Sequence, residues 1–79
     1  MTATRDVREV IRDEPLLRGR IIEALRAGPL TVPELATTLG FPEREMMFWV
    51  MGLRRYGHVA EAPGGADEDG YFRYQAVGP

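Results

Sequence analysis

Ten of the 79 residues are basic, and all ten are arginine. The strongest chemistry of a guanidinium is bidentate hydrogen bonding to carboxylate, phosphate or the O6/N7 edge of guanine. Arg44, Arg54, Arg55 and Arg73 lie in the second half of the chain, and Met47, Phe48 and Met51 are interleaved with them. These three offer only apolar contact, to another protein or to thymine methyl groups. Groups for covalent chemistry are scarce. The chain has no Ser, which removes Ser–His catalysis, and no Cys. Disulfides, zinc knuckles, iron–sulfur ligation and thiol catalysis are therefore excluded. His58 is the sole histidine and follows Gly57, where a structural or surface role is expected. Glu43 and Glu45 are two apart, so on a helix they diverge and cannot share a site. Asp67, Glu68 and Asp69 precede Gly70, but the further ligands and distal Glu of a calcium loop are missing. In "PGGADEDG" the acids stand where a phosphate-cradling loop would hold its anion. The expectation is a non-enzymatic binding protein with no metal and no cofactor.

Bulk properties narrow the partner. The formal net charge is -2. Domains dedicated to nucleic acid are usually basic, so DNA binding by this chain would rest on local charge. No long apolar run and no signal-peptide pattern is present, so a cytoplasmic protein without membrane association is expected. At 44% apolar and 28% charged residues the composition is that of a folded domain. A chain of this length buries only about 60% of its extended surface, so its core is thin and local capping matters.

The elements that would position these residues follow from periodicity. Residues 1–14 carry Val7, Val10 and Ile11 at helical spacing, with Thr4 as a cap. This suggests an amphipathic segment that docks on the body or on a second copy, or else a frayed terminus. A second unit spans 15–77. Asp13 is a plausible N-cap before Glu14 and Pro15. Leu17, Ile21, Ala24 and Leu25 then form one apolar face, which Leu16 and Ile22 widen. Gly28 and Pro29 end that helix. Leu30 is extended, suited to a single bridge. Thr31 and Glu34 spell a capping box, with Pro33 early in the next helix and Gly40 closing it. After the tight turn "GFP", a third helix runs from Glu43 to Tyr56 with Met46, Trp49, Val50 and Leu53 inward. Beyond Gly57 the period changes to that of strands. "HVAEA" and "YFRYQAV" flank an eight-residue loop, with Phe72, Tyr74 and Ala76 expected on the buried face.

With "LTVPELATTLGFPEREMMFWVMGLRRYGHV" set out, the chain resembles winged helix-turn-helix proteins over roughly residues 15–77. In spacing it looks like regulators of the arsenic-resistance and multiple-antibiotic-resistance type. "WVMGLRRYGHV" with "DGYFRY" also resembles small stand-alone winged-helix proteins of bacteria and archaea, some of which accompany redox enzymes such as heterodisulfide-reductase-like complexes. The resemblance implies an α+β, mainly α, fold: a three-helix core, a C-terminal β-hairpin wing and an extra N-terminal helix. Its third helix would lie in a DNA groove. Two partners stay open. In one reading, a transcription-regulator-like module binds double-stranded DNA, with Arg44 on a base, Arg54, Arg55 and Arg73 on phosphates, and a homodimer supplying affinity. In the other, Met47, Phe48 and Met51 anchor a protein partner, rimmed by Arg44 and Arg55.

Overall fold

The computed structural model describes the backbone of residues 7–78 and the side chains of residues 16–78. In chain order the elements are α1 (Val7–Ala27), α2 (Val32–Leu39), α3 (Glu43–Arg55), β1 (Val59–Ala66) and β2 (Phe72–Ala76). The Thr4 cap lies outside the described residues. So do the side chains of Val7, Val10 and Ile11, and with them the expected docking of the N-terminal segment.

A helix start was expected at Asp13, but α1 is one continuous helix from Val7 to Ala27. Pro15 sits in its interior, where a proline has no N–H for the carbonyl four residues back and costs about 3 kcal/mol. That loss is confined to one turn. The helical period of Val10, Leu17 and Ile21 continues across it, so the chain does not break there. Leu17, Ile21 and Leu25 are buried. Leu16, expected to widen this face, is 69% exposed. It lies about 100° around the helix from Leu17, off the buried stripe.

Local chemistry sets the ends of the two shorter helices. The Thr31 hydroxyl accepts from the Glu34 N–H at 3.2 Å, and Glu34 Oε1 accepts from the Thr31 N–H at 2.8 Å. This reciprocal box is worth about 1 kcal/mol. Gly40 (φ 78°) turns the chain out of α2 toward α3. At the end of α3 the Gly57 N–H returns to the Arg54 carbonyl and the His58 N–H to the Leu53 carbonyl. That pairing needs a left-handed residue between helix and strand, and Gly57 adopts φ 81°.

β1 and β2 pair antiparallel, and Leu30 joins them through an isolated bridge to Tyr74. The Leu30 N–H donates to the Tyr74 carbonyl at 3.1 Å, and the Tyr74 N–H returns at 2.8 Å. The hairpin departs from expectation at its tip. β1 continues to Ala66, and its register with β2 slips between Glu61 and Ala66. A bulge therefore absorbs residues that were expected in the loop. The remaining turn is closed by Asp67, whose N–H donates to the Tyr71 carbonyl at 2.8 Å. Phe72, expected to be buried, is 40% exposed. The distal hairpin extends past the core, so alternation has nothing to face there. Tyr74, nearer the base, is buried.

The core joins Leu17, Ile21 and Leu25 of α1 to Leu35 of α2, to the inner face of α3, and to Val59 and Tyr74 of the hairpin. Among the described residues no helix is long and apolar enough to cross a membrane.

Gly52 lies inside α3, and a Cβ placed on it would meet nothing within 4 Å. Gly52→Ala is therefore expected to stabilise the fold by about 0.5–1 kcal/mol through helix propensity alone. Leu35→Ala, at a fully buried position, should destabilise it by about 2–5 kcal/mol. Urea unfolding of both variants checks the two signs.

Candidate functional site

The site is built on α3, because the core fixes which way that helix faces. Met46, Trp49, Val50 and Leu53 are all buried. At 100° per residue, this places Arg44, Phe48, Met51 and Arg55 on the opposite side. Phe48 is 65% exposed and Met47, beside it, 39%. Met51 departs from the expected outward position. It is half-buried and packs against the core. Arg44 and Arg55 are exposed at the two ends of the ridge, and no ion pair among the described residues engages either. Glu43 and Glu45 lie in the first turn and Arg54 and Arg55 in the last, so each charge suits its end of the helix dipole.

On one flank α3 meets the hairpin. The Tyr71 hydroxyl donates to Glu43 Oε1 at 3.0 Å. Arg54 pairs with Glu61 of β1 at 3.2 Å, with both side chains substantially exposed. Arg73 is exposed on β2. At the hairpin tip Asp67 Oδ1 accepts from the N–H groups of Asp69 and Tyr71, each at 2.9 Å. One of the three adjacent acids thus holds the turn together, while Glu68 and Asp69 face solvent.

On the other flank α3 meets α1. Phe48, Trp49, Gly52 and Tyr56 line a groove of about 580 Å³ together with Arg18 and His58. Phe48 stands edge-on to Trp49, with ring centroids 5.6 Å apart at 81°. The Trp49 Nε1–H donates to Glu45 Oε2 at 3.2 Å.

The structure thus gathers Arg44, Met47, Phe48 and Arg55 on one side of α3, with Met51 packed against the core, Arg54 on the hairpin flank and Arg73 on the hairpin itself. Sequence reasoning missed what the acids do. The Glu45–Trp49 bond was legible as an i, i+4 pair, but the Tyr71–Glu43 bond joins residues 28 apart and leaves no local signal. The groove with Arg18 and Tyr56 was also missed, because it depends on how α1 crosses α3.

Three helices, a tight turn from α2 into α3, and an antiparallel hairpin laid against the last helix define a winged helix-turn-helix. No protein-family model matches the chain, and no curated protein matches it. Among solved structures it is similar to a homodimeric winged helix-turn-helix DNA-binding domain from Mycobacterium bovis, described as belonging to a possible ArsR-family transcriptional regulator. The TM-score is 0.63 at 20% identity, over 99% of this chain and 77% of that one. The likeness is one of fold.

The hydrogen bond to Glu43, and then the charge of that carboxylate, raise the Tyr71 pKa above its ordinary value of 10.0. Burial first, and Glu61 second, raise that of Tyr74. Folding therefore favours the protonated phenols. Their contribution to stability is complete below pH 10 and is lost as pH climbs through the raised folded values. In a tyrosinate absorbance titration, Glu43→Gln should return Tyr71 toward its ordinary range. An unchanged titration curve would remove the Tyr71–Glu43 contact from the account.

Proposed function

We propose that the chain is a DNA-binding module of the transcription-regulator type that works as a homodimer in the cytoplasm, with no catalytic role for any residue. The observation that carries this reading is the outer ridge of α3, with a guanidinium at each end that no ion pair among the described residues engages, set in a winged helix-turn-helix. The homodimeric DNA-binding domain that shares the fold supports it. Residues 15–77 form the binding unit in this reading, and the turns before Pro15 extend its first helix.

Each residue has a role that its position permits. Arg44, in the first turn of α3, reads a base edge, guanine being the best bidentate partner. Arg55 is eleven residues further on, about 16 Å along the axis at 1.5 Å per residue. The major groove is about 12 Å wide. Long side chains at the two ends of the ridge can therefore reach a base edge and a backbone wall together. Arg73 takes a phosphate from the hairpin. Arg54 takes another by exchanging Glu61 for it. An exposed ion pair of that kind is worth at most about 1 kcal/mol, so the exchange costs little. Glu68 and Asp69 repel phosphate and keep the hairpin tip off the backbone. Affinity per protomer is consequently low, and pairing two protomers on two half-sites supplies the rest.

With three phosphate contacts per protomer, a dimer makes about six, and log K should fall with log salt at a slope of about -5. Arg55→Ala should weaken binding and flatten that slope by about two units per dimer. The test selects duplexes from a random-sequence pool at low salt, then measures affinity across a salt series by fluorescence anisotropy. Failure to enrich any duplex, or a slope near zero, contradicts the reading.

A further inference from the structure

We infer that Met47 and Phe48 read thymine methyl groups, so that the sequence recognised by this chain is defined by a thymine pair next to a guanine. The inference rests on the DNA-binding reading and goes beyond it to the identity of the bases. Phe48 is 65% exposed on the helix face directed away from the core, and Met47, on its shoulder, is 39% exposed. Neither can donate or accept a useful hydrogen bond. The one apolar group that a base pair presents in the major groove is the C5-methyl of thymine. A face of this kind, closed at its ends by Arg44 and Arg55, matches a polyanion whose floor carries apolar groups between its charged walls. A purely apolar partner would leave those two guanidiniums without ligands.

Spacing makes the inference specific. Arg44 lies about 4.5 Å before Met47 and about 6 Å before Phe48 along the axis, within about two base-pair steps of 3.4 Å. A half-site should therefore carry a guanine no more than about two positions from adjacent thymines. The Phe48 ring abuts Trp49 edge-on, a contact that favours one ring orientation, and Trp49 is anchored in the core and to Glu45.

The test replaces each thymine of a duplex selected from the random pool by deoxyuridine, which deletes the methyl and leaves the base pair intact. Removing one methyl from an apolar contact should weaken wild-type binding about fourfold, at one or two positions per half-site. Phe48→Ala and Met47→Ala, both at exposed positions, should each bind more weakly and lose sensitivity to the uridine they correspond to. Two results overturn the inference: uridine tolerated at every position within about twofold, or undiminished sensitivity in both variants. A Phe48→Ala variant that is monomeric where the wild type is dimeric also overturns it, by assigning the ridge to a second copy. Failure of the pool to enrich any duplex is a separate outcome that removes the DNA-binding reading itself.

Discussion

The structure depends on the burial of one side of a 13-residue helix. Met46, Trp49, Val50 and Leu53 of α3 meet α1, α2 and the hairpin in a core too thin to lose any of them. Once those four face inward, helical geometry fixes the rest. Arg44, Phe48 and Arg55 must stand outward. Glu43 and Arg54 must face the hairpin, and Gly52 and Tyr56 must face α1. The exposed ridge is thus a consequence of packing. Its chemistry is free to vary without loss of the fold, as expected where function resides in a site carried by a scaffold.

The acidic composition is misleading until each carboxylate is followed to its partner. Glu43 accepts from Tyr71, Glu45 from the Trp49 indole, Glu34 from the Thr31 backbone, and Asp67 from two backbone N–H groups of its turn. These carboxylates cap, close or brace the fold. Glu43 and Glu45 also complement the positive end of the helix dipole. In contrast, Arg44, Arg55 and Arg73 are exposed and outside every ion pair among the described residues. A net charge of -2 is therefore compatible with a locally cationic rim around the ridge. Glu68 and Asp69 oppose it at the hairpin tip, so the third helix carries the binding proposed here and the wing contributes chiefly Arg73.

Much of the fold was legible because its signals are local. The capping box at Thr31 and Glu34, the glycine stops and the inward set of α3 all depend on neighbours a few residues away, and the extended residue Leu30 is marked by the Pro29 and Thr31 that flank it. The failures share a cause as well. Asp13 and Pro15 carry the chemistry of a helix start, yet the apolar period continues across them, and the longer pattern outweighs the cap. The hairpin loop was read from turn-forming residues, whereas pairing with β2 draws Pro63 to Ala66 into a bulged strand. Phe72 was assigned inward by alternation, which has meaning only where a core lies opposite. The ridge could be inferred by subtraction from the core positions. The Tyr71–Glu43 bond and the groove beside Arg18 arise from how separate elements cross, and no local pattern encodes that.

The most direct test of the account follows backbone amide shifts of the labelled protein during titration with a short duplex of mixed sequence at low salt. Non-specific duplex binding normally lies at about 10⁻⁴–10⁻⁶ M at physiological salt, and tightens as salt falls. The account predicts that the largest shifts fall on Arg44 to Arg55 and on the hairpin around Arg73, and that they fade as salt is raised. An unshifted spectrum at about millimolar duplex, or shifts that leave α3 untouched, would contradict the claim that the outer ridge of α3 is a DNA-binding face.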